Sequence, residues 1–279
     1  MQDFDVNHLF FWEPIVFGGT PFAINRVVVL MWIASILCMA FLVAGARRGS
    51  LVPKRAQYMV ETAYLFVRNN IAIDVIGPKD GPKYAHYLAT LFFFIFFSNL
   101  LEIVPGINFP VTSRMAIPAA LAVLTWVVFN VVGIVKQGPL NYVKGIAFPP
   151  GVPKPIYILL TPIEILSTFI VRPFTLAIRL FANMVAGHTL LAIFFLFTND
   201  FLRENVSIAS PFGLVTLLIS CILIVFELLV ISLQAYIFTM LTASYIGEAV
   251  HGHGEEDEEE SEEVSTRQRT QHETEGIAA

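Results

Sequence analysis

Two apolar stretches of about 40 residues each, at 156–198 and 212–249, constrain this chain more than anything else in it. At 1.5 Å per residue, 40 helical residues measure about 60 Å, twice the roughly 30 Å of hydrocarbon in a bilayer. Such stretches either tilt steeply or break. A turn at Arg172–Pro173 would divide the first into two ordinary spans, but it would reverse the topology downstream and carry the acidic C-terminal segment outside. A tilted hairpin keeps the topology consistent with the basic residues upstream and is the expected arrangement.

Those residues set the orientation. The first apolar run, 26–45, ends abruptly at Arg47, Arg48, Lys54 and Arg55, which places that end in the cytoplasm. In 53–74, Tyr58, Met59, Ala63, Phe66 and Val67 oppose Arg55, Gln57, Glu61 and Arg68, the pattern of an amphipathic helix on the membrane surface. The breaker cluster GPKDGP (77–82) precedes a second span over 84–104, and PGINFP (105–110) turns the chain back into a third span over 115–135. The loop 136–158 carries Lys136, Lys144 and Lys154, again basic on the cytoplasmic side, while the balanced charges of 199–211 suit the outer face. The expected fold is therefore an all-α polytopic membrane protein. It has about five membrane helices, the last two long and strongly tilted in a hairpin, plus one amphipathic surface helix. Its N-terminus lies outside and its C-terminus in the cytoplasm. Residues 1–250 form the membrane-embedded domain, and 251–279, acidic and nearly free of apolar residues, read as a disordered cytoplasmic tail.

Composition narrows the function. A chain that is 56% hydrophobic and 14% charged, with mean hydropathy +0.70, belongs in lipid. Its formal charge of -5 comes from the tail: residues 249–279 hold 10 of the 22 acidic groups and two of the 17 basic ones, leaving a body with 15 basic and 12 acidic residues. That body has no basic stripe for a phosphate backbone, so nucleic acid is not an expected partner. Cys38 and Cys221 lie in separate apolar runs and define no disulfide framework. Residues 1–24 lack the basic start and small-residue cleavage site of a signal peptide. There is no phosphate-binding loop, dinucleotide turn or Cys/His metal spacing, and no cofactor is expected. His251 and His253, in HGHG, read as flexible linker rather than metal ligands.

The chemistry is carried by a few polar groups inside the long stretches. Arg179, flanked by LAI and LFANM, has no loop beside it to supply water. A central arginine costs about 2.5–3.5 kcal/mol on insertion scales, so it marks a functional site by default. Arg172, two turns earlier and beside Pro173, is placed to reach the cytoplasmic interface. Because guanidinium does not deprotonate in proteins, Arg179 can act only as a fixed charge, biasing a nearby carboxylate toward ionisation. His188 and Glu227 are titratable groups on the two successive long helices, and imidazole with carboxylate is a pairing that passes protons near neutral pH. Each could instead be a structural hydrogen-bond partner. Asn183 lies one turn beyond Arg179 on its face, Gln234 shares a face with Glu227, and His188 points nearly opposite Arg179.

The segments RPFTLAIRLFANMVAGH (172–188) and ELLVISLQAYIFTMLTASYIGEA (227–249) resemble the two signature helices of the F-type ATP synthase a-subunit family, as do SNLLEIVPG (98–106) and TPIEI (161–165). The likeness covers about residues 8–250. It implies a bacterial plasma-membrane subunit, non-catalytic by itself, standing beside a ring of c subunits, with peripheral-stalk b subunits as further partners. Arg179 matches the family's essential arginine. His188 and Glu227 match positions lining the outer of two offset half-channels, and Gln234 and Asn183 match polar positions near the arginine. Ala182 stands where the family often has glycine. The rival class, a proton-coupled secondary transporter, would show internal repeats and broken helices, and no repeat is found.

Overall fold

The computed structural model describes residues 24–46, 55–148, 156–203 and 210–277, with side-chain detail ending at His251. The basic cluster Arg47, Arg48 and Lys54, together with Lys154, residues 1–23 and the side chain of His253, lies outside what is described. Eight helices carry the fold: α1 (Arg26–Ala46), α2 (Arg55–Val67), α3 (Gly81–Leu100), α4 (Ala116–Gln137), α5 (Pro139–Ala147), α6 (Tyr157–Leu166), α7 (Arg172–Arg203) and α8 (Ser210–Ile277). Among the described residues four helical runs are long and apolar enough to cross a membrane: Arg26–Gly45, Ala116–Gln137, Tyr157–Phe201 and Phe212–His251. The fifth expected span corresponds to α3, which is 20 residues long but is not one of the four; Lys83, His86 and Asn99 near its ends lower its hydropathy.

α3 is the packing centre. Its Ala85, Leu88, Ala89 and Phe93 meet Cys38 of α1, Phe129 of α4, and Ala243 and Ile246 of α8, with Val67, Ile71 and Ala72 closing the same core. One turn further on, Leu91 and Ile95 pack on Ala122, Leu176, Ala177, Leu180, Ala235 and Phe238, which seats both long helices against the bundle. Among the described residues no other pair of helices shares as much contact as α7 and α8, so the expected hairpin forms.

The first long stretch does not turn at Arg172–Pro173. Pro173 has no N–H to donate and its ring crowds the preceding turn. A π-helical segment, Ser167–Val171, absorbs this by widening the helix just before it, and the N–H of Arg172 reaches back five residues to the Ser167 carbonyl. Thr175 Oγ1 also donates to the carbonyls of Val171 and Arg172, at 2.8 and 3.1 Å. The chain is therefore helical from Tyr157 through α7, proline included.

Two further details concern α2 and the acidic segment. In α2 the residues turned inward are Val60 and Val67, followed by Ile71, whereas Tyr58, Met59 and Phe66 are exposed. Val60 abuts Gly45, where a Cβ would overlap it, so contact with α1 selects the face. And α8 continues through the acidic segment to Ile277. Glu, Gln and Arg are good helix formers, and no Gly or Pro occurs between Gly254 and Gly276 to stop a helix already begun.

The bundle has two polar ends. At one, Gln137 Nε2 donates to the Ala249 carbonyl at 2.9 Å, and His251 Nε2 lies 2.7 Å from the Ile76 carbonyl, so His251 is anchored rather than linker. Gly77, at φ +101°, turns the chain there. Lys136 and Lys83 both donate to Asp80, at 2.9 and 2.6 Å, and together hold its carboxyl down to about 2. With the folded value below the unfolded one, this contribution is present above about pH 4 and lost as pH falls toward 2. Exposed ion pairs of this kind contribute under about 1 kcal/mol. A carbon NMR titration should find the Asp80 midpoint near 2, and Lys136→Met should return it toward the ordinary value. An unshifted midpoint in the unsubstituted protein would show that the cluster does not form.

Candidate functional site

α7 reads as a ladder. Leu176, Ala177, Leu180 and Met184 are buried and lock one face of the helix into the bundle. That leaves Thr175, Arg179, Ala182, Asn183 and Ala186 exposed on another. Arg179 makes no hydrogen bond or ion pair among the described residues, and the side chains around it on this face are small. Another helix could approach closely there, with the guanidinium as its one strong polar contact.

Behind Arg179 the polar groups run inward. Asn183 Nδ2 donates to Gln234 Oε1 at 2.7 Å, joining α7 to α8 one turn from the arginine. Gln234 is buried, and its Nε2 has no hydrogen-bond partner among the described residues. One turn further, the carboxylate of Glu227, itself buried, lies against Gly187 so closely that a Cβ there would overlap it. Glycine is what admits the carboxylate between the two helices.

His188 is buried, on the side of α7 away from Arg179, as its spacing predicts. Its Nδ1 lies 3.3 Å from Oε1 of Glu102, a carboxylate with only 1% of its side chain exposed. Both residues line a cavity of about 680 Å³ together with Arg26, the turn Pro105–Asn108, Leu191, Phe195 and Ile224. Arg26 stays at its edge by donating to the Gly106 and Ile107 carbonyls, at 3.2 and 2.5 Å. Gly106, at φ +90°, shapes the turn. His188 and Arg179 are nine residues apart along α7, about 13 Å, with Asn183 and with Gly187, against which Glu227 lies, between them.

Of the five residues singled out from sequence, Asn183, Gln234 and Glu227 meet at the α7/α8 seam, Arg179 lies on the exposed face of α7 beside it, and His188 lies on the opposite side of α7 against Glu102. Glu102 was not singled out, although the signal that marks Arg179, a charged residue in an apolar run, marks it too. Glu248 and Glu164 were also missed. Arg172 ion-pairs with Glu248 at 2.5 Å and Glu164 at 3.8 Å, and its guanidinium sits 4.9 Å from the Tyr245 ring centroid.

Chemically, the two sides of α7 offer a cavity, an imidazole, two buried carboxylates, an amide bridge, and an exposed cation that cannot deprotonate. That set can relay protons to a surface and hold a charge there.

Comparison with known proteins gives a consistent result. The family model described as ATP synthase A chain matches residues 28–247. The chain is similar to the ATP synthase subunit a of Rhodococcus erythropolis, 43% identical over 242 residues, covering 87% of this chain and 88% of that protein. It is 45% identical over 255 residues to the subunit a of Frankia alni, covering 91% and 86%. With that of Streptomyces lividans it shares 36% over 248 residues, covering 88% and 87%.

Proposed function

Because this chain belongs to the ATP synthase A chain family, and so is the multi-pass, non-catalytic, proton-translocating subunit of that complex's membrane sector, we propose that Arg179 is the fixed charge it presents to a ring of c subunits. In this reading protons enter through the cavity beside Glu102 and His188 and pass Glu227. They then neutralise a carboxylate of the ring, which can afterwards turn into lipid at low cost. A carboxylate returning on the other side loses its proton toward the cytoplasm and is held ionised by Arg179 until the next proton arrives. Asn183 and Gln234 keep the polar seam continuous behind the arginine.

The observation that carries this reading is that Arg179 is exposed and without a hydrogen bond or ion pair among the described residues, on a face of small side chains. An arginine that served only the bundle would be turned into it and paired. The cavity supports the outer path. The end bearing Lys83 and Lys136 is assigned to the cytoplasm by its basic residues, which puts the N-terminus outside and the C-terminus inside a bacterial plasma membrane. Peripheral-stalk b subunits are left the apolar surfaces away from Arg179.

A cysteine at Ala186, on the same exposed face, tests the arrangement. Oxidation of the assembled complex should link it to a cysteine on the outward-facing helix of the c subunit, while a cysteine at Met39, an exposed position on α1, should not link. Linkage from Met39 and none from Ala186 would place the ring elsewhere.

A further inference from the structure

Arg172 and Arg179 are seven residues apart in regular helix, on nearly the same face and about 10 Å from one another. A carboxylate travelling past this face toward Arg179 therefore meets two guanidinium groups, and only one of them can be its stopping point. The two are treated in opposite ways. Arg179 is exposed with no ion pair, whereas the Arg172 side chain is 18% exposed, paired to Glu248 at 2.5 Å and to Glu164 at 3.8 Å, and set against Tyr245. Around it, Gln137 of α4 and Tyr142 of α5 complete a pocket of only about 20 Å³, so the group has little room to swing out. Glu164 reaches Arg172 from beyond the π-helical segment and Glu248 from α8.

We propose that Glu248, with Glu164 in support, is a positioning residue that balances the charge of Arg172 and holds it off the working face, so that a rotor carboxylate sees a single cation, Arg179. This rests on the reading of Arg179 given above. A second, unbalanced cation 10 Å away at interfacial dielectric would attract a carboxylate strongly enough to change its dwell by about ten-fold. A lock that merely joins α7 to α8 predicts something else: breaking it from either side should do similar harm, and breaking it from both sides should repair nothing.

The test is ATP-driven acidification of inverted vesicles carrying the whole complex, with co-purification of c subunits confirming assembly. Glu248→Gln should slow pumping by about ten-fold, Arg172→Gln should pump close to the unsubstituted rate, and the double variant Arg172→Gln with Glu248→Gln should recover the rate lost in the first. If Glu248→Gln does not assemble, Glu164→Gln carries the same test, with a smaller loss that Arg172→Gln again restores. Normal pumping by the assembled glutamate variant, or a double variant no faster than that variant, would overturn the proposal. Arg179→Ala in the same vesicles separates the two readings: if it still pumps, the assignment of Arg179 fails; if it does not and the rescue is absent, only the role of Glu248 falls.

Discussion

Arg179→Ala should leave a complex that assembles but does not acidify inverted vesicles when given ATP. The size of the effect follows from what arginine alone supplies. It is charged at every accessible pH, so a carboxylate beside it is held ionised. No neighbour stands ready to replace it: Asn183 and Gln234 are neutral, and Arg172 is engaged by Glu248 and Glu164. Arg179→Lys is the sharper variant. An ammonium stripped of water loses its proton far more readily than a guanidinium, so lysine should fail to restore normal pumping although its length and formal charge are similar. Proton uptake read by a pH-sensitive dye, with a and c subunits recovered together, decides the matter. Pumping by the assembled alanine variant would make the arginine structural and return the site to question.

The second large effect is expected at a residue with no side chain. Gly187→Val places a branched carbon where the Glu227 carboxylate lies, and the carboxylate must leave the seam. Proton relays depend on donor and acceptor staying within hydrogen-bond reach, and misplacement by about 1 Å can lower a rate on the order of a hundred-fold. Pumping and ATP synthesis should both fall by about ten- to a hundred-fold. Glu227→Asp, one methylene shorter, should be harmful alone yet recover part of the activity when combined with Gly187→Val, because the shorter acid clears the new methyl groups. Full activity in the single valine variant would show that the carboxylate does not need its place against Gly187.

Much of this was legible in the sequence because the bilayer permits so few solutions. Apolar length gave the spans, and the lone Arg179 stood out because hydrocarbon makes a charge expensive. Spacing alone placed His188 away from Arg179 and Asn183 toward it. What was not legible depended on partners from distant parts of the chain. The inward face of α2 is set by Gly45, which no pattern within α2 records. The π-helical segment before Pro173 shows how a proline that reads as a break can be carried by one widened turn. Glu102, 86 residues before His188, and Glu248, 76 after Arg172, acquire their meaning only when folding brings them to the same place.

The unbroken helix from Tyr157 to Phe201 also fixes a geometry of motion. Its 45 residues extend about 68 Å, and keeping them within about 30 Å of hydrocarbon requires an inclination near 60° from the membrane normal. At that slope, position along the helix becomes mostly sideways position: His188 and Arg179, about 13 Å apart along the axis, would differ by about 12 Å in the plane and only about 7 Å in depth. On the reading proposed above, a rotor passing such a helix would meet its groups one after another in time, like teeth cut along a slanted rack. The slant would then give the order of encounters a direction, and the hand of the slope would decide which way the proposed ring must turn for a proton to be taken up before it is released.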